Sequence, residues 1–98
     1  MEFSEARDLI IAAFKEVGGC NYESSNVLVV GTNSQNVEVH IRECNGAVEV
    51  FSKLNGLEGS SFFKHAKLAF LTASQAREIG KSSASFCFSA LEKENSNE

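Results

Sequence analysis

The dipeptide Asn45-Gly46 separates two stretches in which apolar and polar residues alternate, VEVHIREC before it and AVEVFSKL after it. Both residues tolerate the positive φ that a two-residue hairpin turn requires, so the sequence predicts an antiparallel hairpin folded about this dipeptide. Alternation places every second side chain on the same face of a sheet. The remaining chain must therefore fold against a sheet with one strongly apolar face.

The turn also predicts the strand register, because a two-residue loop brings residues equally distant from Asn45-Gly46 opposite each other. Arg42 then faces Glu49, and Glu38 faces Lys53. Each of these opposite-charge pairs contributes about a few tenths of a kcal/mol. A shift by one residue would separate both pairs and turn charged side chains towards the core, so this register is strongly preferred.

A further strand over NVLVVG, residues 26–31, extends both faces of the hairpin through a short turn. The apolar residues of the inner face are then Leu28, Val30, Val37, Val39, Ile41, Val48, Val50 and Leu54, with Ser52 opposite Val39. The outer face is partly apolar as well, and its charged residues surround the apolar ones. We call this candidate partner-binding site the outer patch, and it consists of Val27, Val29, His40, Phe51, Arg42, Glu49, Glu38 and Lys53.

An amphipathic helix precedes the strands, since apolar residues between Ser4 and Val17 recur at helical spacing. Ser4 is the predicted N-cap. Gly18-Gly19 is expected to end the helix, because glycine adopts the left-handed cap conformation without strain.

A second helix is predicted from the capping box Thr72-Ala-Ser-Gln75 to about Lys93. Gly80 lies inside it and costs about 1 kcal/mol relative to alanine. A break in this helix is expected at Ser82-Ser83, which could cap a second helical segment.

The segment FFKHAKLAFL, residues 62–71, fits either a strand or a helix. We favour a strand, because the capping box marks a new helix directly afterwards. Its shared face would hold Phe62, Ala66, Leu68 and Phe70, interrupted by Lys64. The predicted fold is α+β: an N-terminal helix, a four-stranded antiparallel meander and a C-terminal helix. Residues 1–91 form a single domain, and residues 92–98 form a disordered polar tail.

The charge of the chain argues against a nucleic-acid-binding protein, since 13 acidic and 9 basic residues give a formal net charge of −4. The run Phe62-Phe63-Lys64-His65, with Lys67, keeps single-strand binding as a less favoured alternative. His40 and Cys44 share a strand face but are ~13 Å apart, too far to bind one metal ion. We expect no metal, no cofactor and no catalytic residues.

Three cysteines without a close pair do not form a disulfide framework, and reduced thiols are typical of the cytoplasm. The acidic N-terminus does not resemble a signal peptide, and no apolar run reaches the ~18 residues of a membrane span. The sequence therefore predicts a cytoplasmic protein without a membrane partner.

The order helix, antiparallel meander, helix resembles the general plan of small secretion chaperones and of accessory proteins of phages and mobile elements, in architecture only. We predict a small noncatalytic interaction or inhibitor module, such as an accessory protein of a phage or mobile element. It would bind a protein partner, or a second copy as a homodimer, through the outer patch. The alternative is a small-ligand-binding module or minor enzyme with a pocket between the sheet and a helix.

The position of the last helix distinguishes two arrangements. It either covers the outer patch or lies beside the first helix on the inner face. We favour the second arrangement, because a helix packed on the outer patch would desolvate its charges.

Overall fold

The chain folds as a helix, a five-stranded antiparallel meander and a second helix in a computed structural model that describes residues 1–95. The elements are α1 (Phe3–Val17), β1 (Tyr22–Glu23), β2 (Val27–Gly31), β3 (Asn36–Cys44), β4 (Ala47–Asn55), β5 (Phe63–Lys67), a 3-10 turn (Leu68–Phe70) and α2 (Ala73–Asn95). The strand order is β1-β2-β3-β4-β5. The predicted α+β class is confirmed, but within residues 1–95 the sheet has five strands rather than four, because the short β1 adds an edge.

The central hairpin has the predicted turn and register. Asn45 and Gly46 both have positive φ, 50° and 76°, as a type I′ turn requires. Arg42 lies opposite Glu49 in the ladder between β3 and β4. The ladder between β2 and β3 also has the predicted alignment. The two faces of the sheet therefore contain the residues expected from the sequence.

Both helices lie on the inner face, as we favoured. The predicted inner-face residues are buried, except that Leu54 is only partly buried, and they form one core with the buried residues of α1 and α2. The helices run side by side in the same direction: Gly80 of α2 lies against Ile10 of α1, and Phe88 packs on Phe14 further along. Within the described residues, neither helix covers the outer face.

The ends of α1 differ from the prediction. The helix begins at Phe3 with Glu2 as N-cap and no capping side chain, so Ser4 is not the N-cap. Gly18 is extended (φ −172°, ψ 158°) rather than left-handed. A Cβ at position 18 would lie 2.5 Å from the ring of Phe88, so a larger residue there would require this ring to move.

The second helix starts where the capping box predicts. Thr72 N–H donates to Gln75 Oε1 (3.0 Å), and Gln75 N–H donates to Thr72 Oγ1 (3.1 Å). The expected break at Ser82-Ser83 is wrong, since α2 is continuous to Asn95. Ser83 is buried and its hydroxyl donates to the carbonyl of Gly80 (2.9 Å), which satisfies the hydroxyl without interrupting the helix.

The segment 62–71 is a strand only in part. Residues 63–67 form β5, and the chain then turns through the 3-10 segment. Phe70 is therefore 76% exposed and does not share a face with Leu68, which is buried. The predicted polar tail is also corrected, because residues 92–95 belong to α2; residues 96–98 lie outside the described range.

Candidate functional site on the outer sheet face

A row of four side chains crosses the outer face from β2 to β5. The ladders align Val27 with His40, His40 with Phe51, and Phe51 with Phe63. Because residues opposite each other in antiparallel strands project from the same face, these side chains are neighbours across the sheet. The apolar part of the outer patch thus extends one strand further than the sequence indicated.

Two neighbours hold the ring of Phe51 in place. The imidazole of His40 is stacked on it, with centroids 5.1 Å apart and planes 11° from parallel. The guanidinium carbon of Arg42 lies 5.0 Å from the Phe51 centroid, within the range of a cation–π interaction. The two rings thus form a stacked aromatic pair at the centre of the outer face.

The carboxylate of Glu38 connects β3 to β4 through hydrogen bonds beside the stacked His40–Phe51 pair. One oxygen lies 3.0 Å from His40 Nε2, and Asn55 Nδ2 donates to the other over 2.6 Å. The hydrogen bond with His40, then that from Asn55, holds the pKa of Glu38 below its ordinary value of 4.5. Burial opposes this shift, and the charge of Lys53 adds to it. Glu38 is therefore anchored in a network rather than free to bind a ligand.

Of the two predicted charge pairs, Arg42–Glu49 forms a direct ion pair, whereas Glu38 and Lys53 interact at longer range. Arg42 Nε donates to Glu49 Oε1 over 2.8 Å. The Glu49 side chain is 12% exposed and that of Arg42 is 60% exposed. Lys53 lies opposite Glu38 in the ladder and attracts it at longer range, while His40 and Asn55 make the direct contacts.

Three residues join the outer patch that sequence reasoning did not assign to it. Phe63 is 57% exposed beside Phe51, and His65 lies opposite Glu49. Tyr22 of β1 is 60% exposed and lies opposite Val29. Alternation from an inward Phe62 would have placed Phe63 and His65 outward. The two-residue β1 carries no periodic signal.

The outer patch is an apolar and aromatic surface rather than a cavity. Two pockets, of about 150 and 200 Å³, lie elsewhere in the molecule and are lined by none of the eight patch residues. Among residues 1–95 there is no group of three or more acidic, histidine or cysteine side chains placed to hold a metal ion. In that range, neither helix is long and apolar enough to cross a membrane.

Comparisons with protein families, with curated proteins and with solved structures find no match to this chain.

Proposed function

We propose that this protein is a small noncatalytic, intracellular interaction module that binds a protein partner through the outer patch. The observation that carries the proposal is the exposure of its aromatic side chains. Phe63 and Tyr22 are 57% and 60% exposed at either side of the half-buried Phe51, and both helices are on the opposite face. Monomeric proteins seldom leave large contiguous apolar patches in water.

The composition of the patch is that of a protein interface. An aromatic and aliphatic centre, Val27, His40 and Phe51, is bordered by Arg42 and Glu49. Interfaces commonly combine an apolar centre with a polar rim, and tyrosine, phenylalanine and arginine are enriched in them. The stacked His40 ring and the paired Arg42 side chain are preorganised, which lowers the entropy lost on binding.

The partner is either a different protein or a second copy of this chain. Among interaction modules, an inhibitor or an accessory protein of a phage or mobile element fits the architecture. An intracellular location is part of the proposal, because the three cysteines are free thiols and such thiols stay reduced in the cytoplasm.

A ligand-binding module is the less supported function. A pocket does lie between the end of β4 and α2, where Leu54, Phe86 and Ala90 are among its lining residues. Its volume of about 150 Å³ is below the roughly 300–1,000 Å³ of most small-molecule sites.

The proposal is tested by affinity capture from the source cells with wild-type protein, Phe51→Glu and Val17→Glu. Val17 is 45% exposed at the end of α1, on the side of the sheet opposite the outer patch, so its variant is a matched control for a new surface charge. We expect a partner that wild type and Val17→Glu retain and Phe51→Glu loses. Sedimentation of the purified proteins shows whether that partner is a second copy.

Circular dichroism and thermal unfolding establish that Phe51→Glu is folded. If Phe51→Glu is folded and retains every partner of the wild-type protein, the outer patch is not the binding surface. If it unfolds, Phe51 is structural and the proposal loses its main support.

A further inference from the structure

The outer edge of β5 offers unpaired backbone groups. In the ladder with β4, Ser52 N–H donates to the carbonyl of Phe62, and Leu68 N–H donates to that of Gly46. Antiparallel pairs alternate between hydrogen-bonded and non-hydrogen-bonded positions. The even-numbered residues of β5 therefore face β4, and the N–H and C=O groups of Phe63, His65 and Lys67 point to the open edge.

A pocket and an aromatic contact lie under this edge, between β5 with its flanking residues and α2. Phe62 packs on Phe86 at one end, with ring centroids 5.8 Å apart. A pocket of about 200 Å³ lies at the other end, lined by Ala66, Lys67, Phe70, Leu71, Gln75 and Ile79. Its apolar residues include the largely exposed Phe70. A strand added beside β5 would direct alternate side chains towards this pocket and the others towards Phe63 on the outer face.

The edge is basic in an acidic protein. Lys64, His65 and Lys67 are all exposed within five consecutive residues. The chain as a whole, by contrast, carries a formal net charge of −4. An acidic segment is therefore attracted to this edge and not to the molecule in general.

A second copy of β5 does not fit this edge. Antiparallel pairing of two such strands would bring four lysines and two histidines into one short ladder. Like charges opposite each other destabilise a sheet, and edge lysines are a common means of preventing self-pairing. The occupant that fits is a segment of another protein with acidic residues and at least one apolar residue.

We propose that the β5 edge binds an extended acidic and apolar segment of a partner protein, which adds a sixth strand to the sheet. Its backbone pairs with the outward groups of Phe63, His65 and Lys67. One apolar side chain enters the pocket beside Phe70, and acidic side chains contact the lysines. Strand addition of this kind derives affinity from the main chain and specificity from alternate side chains.

This inference deepens the proposed function, since it names a class of partner and a binding mode. It can be tested separately because the edge variants below leave Phe51 and the centre of the outer patch unchanged. If the edge variants lose the peptide but keep the captured partner, only the inference is contradicted. If the wild-type protein binds the peptide but Phe51→Glu retains every captured partner, only the role of the outer patch is contradicted.

The probe is a short fluorescent peptide of alternating valine and glutamate, titrated with purified protein and followed by anisotropy. The charge-reversed double variant Lys64→Glu/Lys67→Glu should bind it at least about tenfold more weakly. Arg77→Glu/Lys81→Glu changes the net charge equally at exposed positions of α2 outside the pocket lining, and should bind within about twofold of wild type. Phe70→Ser should also weaken binding, and it should leave the folded state intact because Phe70 is 76% exposed.

Two controls separate strand addition from simple charge attraction. Two peptides of the same sequence are N-methylated at every second residue, one at the odd and the other at the even positions, so each keeps its charges but loses half its backbone donors. The peptide whose methylated amides face β5 should bind at least about tenfold more weakly. Hydrogen exchange should slow at the amides of Phe63, His65 and Lys67 when the unmodified peptide binds.

Several results would overturn the inference: no binding of the peptide, equal loss in both charge-reversed variants, or unchanged exchange at the three amides. Tighter binding of an oligothymidine than of the peptide, lost in Lys64→Glu/Lys67→Glu, would show that the basic edge serves a nucleic acid instead. Formation of a dimer through β5 would also contradict it.

Discussion

Gly80 of α2 lies directly against the carbonyl oxygen of Ile10 in α1, so that a Cβ at position 80 would overlap this oxygen. The same Cβ would lie 2.9 Å from the Cβ of Ala13. Glycine in the middle of α2 is therefore the residue that lets the two helices approach closely on one face of the sheet.

Gly80→Ala should destabilise the protein although alanine is the better helix former. The substitution gains about 1 kcal/mol of helix propensity. Overpacking costs about 1–3 kcal/mol, and the cost lies at the upper end here because the overlapping atom belongs to the backbone of Ile10. We expect a net loss of about 1–2 kcal/mol in the free energy of unfolding, measured by urea denaturation. Ser85→Ala, at an exposed position of α2, is the control. A more stable Gly80→Ala variant would show that the helices do not approach as described.

Exchanging Arg42 and Glu49 should preserve stability better than changing either residue alone. The pair is joined by a hydrogen-bonded ion pair of 2.8 Å across the ladder. Arg42→Glu places two carboxylates opposite each other, at a cost of about a few tenths to 1 kcal/mol. The exchange restores the attraction but removes the cation from the ring of Phe51, so recovery should be incomplete. Denaturation of the single variants and the exchange forms a double-mutant cycle. A coupling energy of zero would contradict the register.

The contribution of Glu38 to stability should depend on pH. Its pKa is lowered in the folded state, chiefly by the hydrogen bond with His40. A carboxyl group with a lowered folded pKa stabilises the protein fully above its unfolded pKa, and this stabilisation is lost as the pH falls through the folded pKa. Wild type should therefore exceed Glu38→Gln in stability at neutral pH, and the difference should shrink below the ordinary value of 4.5. Denaturation curves measured between neutral pH and the acidic range, with Glu43→Gln as the reference variant, test the direction of this pH dependence. A difference that grows on acidification would be the opposite result.

Cys87 should be inert towards alkylating reagents while the protein is folded. It is fully buried, and burial raises the pKa of its thiol to about 12. Since the thiolate is the reactive species, modification requires opening of the core. Cys20 and Cys44 are partly exposed and should react first. Mass spectrometry after timed iodoacetamide treatment identifies the modified residues. Rapid labelling of Cys87 would contradict its burial, and a mass lower by two hydrogens before reduction would reveal a disulfide that we do not expect.

Most of the sheet was predictable because its register depends on local chemistry. Asn45-Gly46 specifies a tight turn, and the alternation on either side leaves one alignment that buries no charge. That alignment was sufficient to bring Val27, His40 and Phe51 into one row. The start of α2 was predictable for the same reason, since Thr72 and Gln75 cap each other within one turn of the chain.

Elements that depend on distant contacts were predicted less well. β1 has two residues and exists because Tyr22 and Glu23 pair with β2. The glycine-containing connection before β5 has no tight turn to set an alignment, so the place of Phe63 beside Phe51 follows only from the assembled sheet. Ser4 was expected to cap α1, but the chain at Met1 is held by its amino group on the carbonyl of Leu68, and the helix begins earlier.

The sequence by itself determined the α+β class, the hairpin register and the division of the strands into an apolar and a mixed face, because each follows from the spacing of neighbouring residues. It did not determine which face the last helix covers. That was decided by tertiary packing: Gly80 lacks a Cβ where α2 approaches the backbone of α1, so both helices fit side by side over the inner face. The outer patch stays exposed as a consequence of that contact between the helices.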